Sequence, residues 1–443
     1  MLKVRMSSLE IENFKNVEYG KIEMPSKDIK IINNEKTEIL GVYGQNGSGK
    51  TTVIDAIDLF KRILLGEELK IEDKDLIYIG KERAKLTYTF YITENGRVTY
   101  TEYSVAIKIN EKDKPIICGE KLIISAYNKG KWSTKRTICD FEEGYDDILI
   151  KPKYRWDKII NNNKENFVDI AVAKRISIKT GKTFIFSDEI VEVLSETFKD
   201  EEEINFSLKS LMKFAKENLF VIKTNCQENN QIQLFLPEMH KISLEEKNIV
   251  SLEEFSELKK MIKLENIAIG LFIPNTELVI KEYGRHLDND GREGIAFEIM
   301  SKKGNMEIPL RAESGGIKRI ITLLNILLSV FTQEEVCLAI DELDAGLHEY
   351  LYGKLIKLIE IDGKGQLIFT SNNMRPLELI NKKSLIFATA NPKNKYIRFA
   401  NVRDNNNLRD LYLKSAKLDG QKEILYLEDD ELKLKEMIHE INI

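Results

Sequence analysis

EILGVYGQNGSGKTTVIDAI, residues 38–57, decides how the rest of the chain is read. It begins as a continuous apolar run of strand length. Beyond Thr51 the apolar residues Val53, Ile57, Phe60 and Leu64 recur at helical spacing until Gly66 supplies a stop. Between strand and helix, Gly44 to Thr51 fits G-x-x-x-x-G-K-[ST] in the context that pattern requires. Its glycines let the loop formed by Gly44, Gln45, Asn46, Gly47, Ser48 and Gly49 curl so that backbone N–H groups face a phosphate, and the helix N-terminus adds partial positive charge. Lys50 then sets a full charge between the β- and γ-phosphates of ATP, the Thr51 hydroxyl completes a Mg2+ shell, and Thr52 belongs to the same nucleotide-binding set. The plainer alternative is a glycine-rich turn with an exposed lysine.

VCLAIDELDAGLH, Val336 to His348, is a second apolar strand, and it ends in two acids. Burying Asp341 and Glu342 without a cation nearby is costly, and a magnesium nucleotide removes that cost. Asp341 orients the metal and its waters with Thr51, while Glu342 accepts a proton from the attacking water. A strand end running into a helix cap is the bland reading, and Asp344 serves equally as an N-cap or in the site. Earlier, AESGGIKRI carries Ser314, Gly315 and Gly316 at the start of a helix that is apolar almost all the way round. A serine cap followed by two glycines turns backbone amides outward, which suits phosphate as well as simple capping. One monomer has no need of a second phosphate-binding helix end; two monomers facing each other do.

The 443 residues, 42% hydrophobic and 31% charged, suffice for a large core, and the net charge of −5 excludes an overall cationic field for nucleic acid. MLKVRMSSLEI lacks a signal-peptide apolar region, and IKRIITLLNILLSVF is too short and too charged to span a bilayer. A cytoplasmic protein with no membrane partner is therefore expected. The four cysteines form no CxxC pair and the four histidines show no metal-ligand spacing. SLEIENFKNVEYGKIEM predicts two strands, and Asn95-Gly96 predicts a tight hairpin between alternating segments. The expected fold is α/β, with a mixed central sheet, an N-terminal antiparallel β subdomain and a helical insertion. Its predicted divisions are 1–109 (first part of the head), 110–262 (mainly helical insertion), 263–405 (second part of the head) and 406–443 (helical tail).

GQNGSGKT, ESGGIKR, CLAIDELDAGLH and LIFTSNN, in that order, resemble the ABC-type ATPase heads of the SMC, RecF and overcoming-lysogenisation-defect group, as does the opening IENFKNVEYGKIEM. The compact form is similar to standalone ATPases of bacterial phage-defence operons. The resemblance covers roughly residues 1–110 and 263–400. It implies a homodimer or higher oligomer that sandwiches ATP and Mg2+, with Ser314 to Gly316 reaching across to the partner's nucleotide. It also implies a separately encoded effector, often a nuclease.

Three departures stand out. The signature turn begins Glu-Ser where transporter heads have Leu-Ser. The glutamine that ends a strand after the phosphate loop is not located. The switch histidine is absent, its place held by Asn372 or Asn373 at the end of LIFTSNN. Asn372 either senses the γ-phosphate through its NH2 group, which makes a slow ATPase, or the two amides cap the turn before Arg375-Pro376.

The competing function is a DNA-repair head. Its support is two basic segments, Lys129 to Arg136 and Lys151 to Lys158, interleaved with Trp132, Tyr154 and Trp156. Acidic residues from Asp140 to Asp147 interrupt them, which makes nucleic acid the weaker partner reading. A built-in nuclease is not expected in the stretch of about 100 residues after Glu342, and the acidic cluster Glu428 to Glu431 is read as part of a docking or capping tail.

Overall fold

The computed structural model describes residues 2–26, 36–142, 150–162, 164–198, 201–223, 233–235, 241–243, 247–287, 291–399, 407–418, 423 and 425. In chain order, the first half runs β1 (Lys3–Phe14), β2 (Val17–Glu23), β3 (Glu38–Tyr43), α1 (Lys50–Leu64), β4 (Arg83–Glu94), β5 (Arg97–Ile109), β6 (Pro115–Asn128), β7 (Lys131–Trp132) and β8 (Arg136–Glu142). Helices α2 (Lys153–Asn162), α3 (Lys164–Thr180), α4 (Asp188–Thr197) and α5 (Glu202–Lys213) lead to β9 (Leu219–Ile222), β10 (Gln233–Phe235), β11 (Lys241–Ser243) and β12 (Asn248–Val250). There follow α6 (Leu252–Phe272), β13 (Thr276–Leu287), β14 (Glu293–Lys303), β15 (Met306–Pro309), α7 (Gly315–Thr332), β16 (Cys337–Ile340), α8 (Glu349–Asp362), β17 (Gln366–Thr370), α9 (Pro376–Leu379), β18 (Leu385–Ala388), β19 (Tyr396–Ile397) and α10 (Leu408–Leu418).

The central sheet has the order β19-β18-β3-β17-β16-β9 and is parallel except for β19. Its strands are apolar on both faces because both faces are covered. Leu40, Val42, Ala339 and Ile368 pack toward α1, whereas Ile39, Tyr43, Ile340, Leu367 and Phe369 pack in a core shared with α7 and α8. Gly41 has no side chain for a packing reason: a Cβ there would lie 2.8 Å from the Phe369 ring. On its other side α1 meets an antiparallel sheet of order β2-β1-β4-β5-β6-β7, to which β8 is added through β6. Phe60 on α1 stacks on Phe90, and Tyr88 donates to the Ala56 carbonyl at 2.6 Å. The β4–β5 hairpin turns on Asn95 and Gly96, with φ of 50° and 79°, the left-handed pair that the sequence demanded.

The segment 110–262 is not one helical insertion. β6 to β8 continue the antiparallel sheet, β9 is an edge strand of the central sheet, and α6 packs on the β13–β14 hairpin. Among the described residues of this segment, α2 to α5 form the added helical layer, and they share one core with the sheet, through Trp156, Ile170, Leu194 and Leu208. The basic hairpin tip NKGKWSTKR dominates the composition there and conceals apolar strands on either side.

Trp156 lies in this core, 1% exposed, with its indole N–H donating to the Ile138 carbonyl. Arg155 and Arg136 pair with Glu201. Trp132 packs edge-on against Tyr100 and tilted against Tyr91 and Tyr127. The stacking surface expected for bases is thus spent on packing, except for exposed Tyr154.

By length and composition α7, with mean hydropathy 1.4 over 18 residues, is apolar enough to cross a membrane, contrary to the sequence expectation. Its apolarity has another use here. Leu323, Ile326, Leu327 and Val330 serve the central-sheet core while Ile321 and Leu324 serve that of α6 and β14. Of the expected tail, α10 is present at Leu408–Leu418, and the second helix and Glu428 to Glu431 lie outside the described residues, as do Cys226, Glu143, Asp146 and Asp147.

Candidate functional site

The phosphate loop joins β3 to α1, and Gly49, the residue before the helix, has φ of 98°, which a side chain rarely tolerates. A Cβ on Gly44 would sit 2.5 Å from the Ser48 hydroxyl. Neighbouring elements hold the loop: Asn16, in the β1–β2 turn, donates to the Gly47 carbonyl at 2.8 Å and accepts from Thr52 at 2.9 Å. Tyr396 on β19 donates to the Gly49 carbonyl at 2.8 Å. The Lys50 ammonium donates to the carbonyls of Gly44 and Gln45 at 2.7 and 3.1 Å. Burial lowers its pKa, an effect that Asp341 and Glu342 oppose.

The two sequence-distant motifs meet at the loop's C-terminal end. Thr51 Oγ1 lies 3.1 and 3.2 Å from the two carboxylate oxygens of Asp341. A residue overlooked in the sequence ties them together. Thr370, the last residue of β17, donates to Asp341 Oδ1 at 2.5 Å and accepts from the Glu342 backbone N–H at 2.8 Å. Glu342 has φ of 49°, and its carbonyl accepts from the Arg319 guanidinium at 2.8 Å. Arg319 was the second unread residue, although its place in ESGGIKR, one turn into α7, was a signal. Burial lowers its pKa against the raising influence of Glu342, Asp344 and Asp341.

Asp344 is no helix N-cap, since His348 takes that position for α8. Its carboxylate instead accepts from the backbone N–H groups of Asn372, at 3.3 Å, and Asn373, at 3.0 Å. The two asparagines therefore part company. Asn373 caps the turn, its Oδ1 accepting from the Arg375 N–H at 2.9 Å. The Asn372 side chain is exposed and has no hydrogen-bond partner among the described residues.

Ser314 is the N-cap of α7, its hydroxyl accepting from the Ile317 N–H, and Ser314, Gly315 and Gly316 are exposed. A Cβ on either glycine would meet nothing within 4 Å. Nothing within the described residues demands glycine there. Glu313, which departs from the transporter pattern, is buried and anchors the turn, accepting from Ser301 at 2.7 Å and Lys303 at 2.9 Å. Burial would raise its pKa, but Lys303 and Ser301 outweigh that and hold the carboxyl below its ordinary range.

The strand parallel to β16 on its outer side is β9, which the sequence reading missed because LFVI is too short to stand out. Lys223, just after it, pairs with Asp55 and Asp58 of α1 at 2.9 and 2.7 Å. The chain continues into 224–232, which include Gln227 and lie outside the described residues.

The profile of the AAA ATPase domain family matches residues 5–371, most of the chain, from β1 through β17, and leaves out α9, β18, β19 and α10. The chain belongs to the AAA ATPase domain family. This AAA ATPase is also similar to solved SMC heads. The Smc head domain of Pyrococcus furiosus, solved with an extended coiled coil and bound to the C-terminal domain of ScpA, is 15% identical, with a TM-score of 0.43 over 90% of this chain and 96% of that one. The SMC head domain from Thermotoga maritima is 14% identical, with a TM-score of 0.36 over 89% and 99%. The Smc head domain of Pyrococcus yayanosii, with a coiled coil and joint, is 12% identical, with a TM-score of 0.42 over 94% and 100%. No curated protein matches the sequence significantly.

Proposed function

We propose that this AAA ATPase binds and hydrolyses ATP with Mg2+ and works as a switch that closes on a second copy around the nucleotide. The observation that carries the reading is the relay Thr51–Asp341–Thr370–Glu342, which links the phosphate loop to a carboxylate of anchored backbone. The donor set fits a phosphate: among the described residues the Ser48 hydroxyl is buried without a partner beside Lys50, whose ammonium donates to the loop carbonyls of Gly44 and Gln45. Thr51 and Asp341 would hold a magnesium ion, which would supply positive charge to the phosphates. Glu342 orients the attacking water and takes its proton. Lys50 and the loop amides bind the phosphates, and Ser314 to Gly316 offer amides to the partner's nucleotide. The exposed, sterically unconstrained glycines of that turn support the dimer.

The test is Glu342→Gln, which lowers turnover on the order of 10²- to 10⁴-fold and traps an ATP-dependent dimer. A variant that hydrolyses normally, or stays monomeric with ATP in light scattering, refutes the reading. The finer role, a sensor in a prokaryotic antiviral defence system that controls a separately encoded effector such as a nuclease, rests on the likeness of the compact head to defence ATPases. A neighbouring effector gene supports it, and a repair-gene neighbourhood sinks it.

A further inference from the structure

Helix α3 packs on β6 and against α2 and α4, and it buries Ile170, Ala173 and Ser177 on its inner face. Its outer face is also apolar. Val168, Val172 and Ile176 recur every four residues there and remain 56%, 48% and 43% exposed. Three β-branched residues are poor helix formers, and each leaves about half of its surface in solvent, so neither helix propensity nor internal packing accounts fully for the row.

The charges around the row point to its occupant. Glu165 and Asp169 lie in the N-terminal half and Arg175 and Lys179 in the C-terminal half, all on the exposed side. Compatibility with the helix dipole explains that polarity in part, but not the apolar row between. Two copies of α3 laid antiparallel about Val172 bring Val168 level with Ile176 and Asp169 level with Arg175 of the second copy. A parallel pairing sets like charges side by side. The face is therefore self-complementary in one orientation, as a two-fold interface requires.

We propose that α3 docks on α3 of a second copy of this chain, antiparallel and centred on Val172. Three aliphatic side chains and a few rim charges per copy bury less than the ~1,200 Å² of a lasting interface. The contact thus operates between copies already held close by another interface or by high local concentration. It lies in the added helical layer, on β6 and the neighbouring helices, rather than on the phosphate loop or the Ser-Gly-Gly turn.

Cysteine cross-linking tests the geometry, in a Cys226→Ser background whose other thiols, Cys118, Cys139 and Cys337, are buried. On oxidation with copper phenanthroline, Val172→Cys links to itself. Val168→Cys alone does not, because antiparallel copies separate the two sulfurs by about 12 Å along the axes, beyond the ~7 Å Cα reach of a disulfide. A mixture of Val168→Cys and Ile176→Cys chains links in trans. Asp169→Arg slows the Val172→Cys link several-fold, and adding Arg175→Asp to the same chain restores it. No link at 172, equal self-linking at 168, or indifference to both charge changes overturns the proposal. Glu342→Gln chains that fail to dimerise with ATP but still cross-link at 172 separate the failure of the nucleotide reading from that of this one.

Discussion

The Arg319 guanidinium donates to the backbone carbonyl of Glu342 at 2.8 Å, tying the helix that begins with Ser-Gly-Gly to the peptide that carries the expected base. If the exposed turn engages a second copy, a shift of α7 would reach that peptide through this bond. Arg319→Met removes a hydrogen bond from a charged donor, worth about 1.5–3 kcal/mol. If the bond is made in the transition state, turnover falls roughly 10- to 100-fold. Steady-state kinetics checks it: kcat falls while nucleotide affinity, measured by a fluorescent ATP analogue, changes little.

Glu313 sets the same turn from the other side, through Lys303 and Ser301. Its pKa in the folded protein lies below that of an unfolded carboxylate. The stability it contributes is therefore complete above the unfolded value of about 4.3 and is lost as pH falls through the lower folded value. Glu313→Gln removes the charge, so the variant loses stability at neutral pH, and the difference from the parent chain narrows in acid. Thermal unfolding between pH 7 and pH 3 measures both.

A Cβ on Gly316 would meet nothing within 4 Å among the described residues. Gly316→Ala should accordingly stabilise the monomer, by up to ~1 kcal/mol from helix propensity. If another copy's phosphate approaches the backbone there, a side chain obstructs it, and Gly316→Val weakens the ATP-dependent dimer at least tenfold. Thermal unfolding and light scattering with ATP report the two effects separately.

Asn372 and Asn373 have different fates. Asn373→Ala loses the turn hydrogen bond to Arg375 and costs about 1 kcal/mol in unfolding experiments. Asn372→His leaves stability within ~0.5 kcal/mol because the native side chain has no hydrogen-bond partner among the described residues. It raises kcat if position 372 faces the γ-phosphate. Turnover that is unchanged or lower removes Asn372 from the site.

Local physics was enough to read much of the protein from its residues alone. Gly49 before Lys50, the apolar runs of β3 and β16, and Asn95-Gly96 each specify their own backbone within a few residues. Those signals defined the strand–loop–helix unit, the hairpin and the acid pair. The tertiary structure decided what depends on pairing across the chain. Thr370 lies 29 residues from Asp341 and becomes its hydrogen-bond partner only because β16 and β17 run side by side. Asp344, an ordinary cap by its local sequence, turns to the amides of Asn372 and Asn373 for the same reason. β9 is four residues of apolar chain until β16 supplies its ladder. Trp156 and Arg155, exposed and basic by composition, are drawn inward by a core built from strands that their own neighbourhood does not contain.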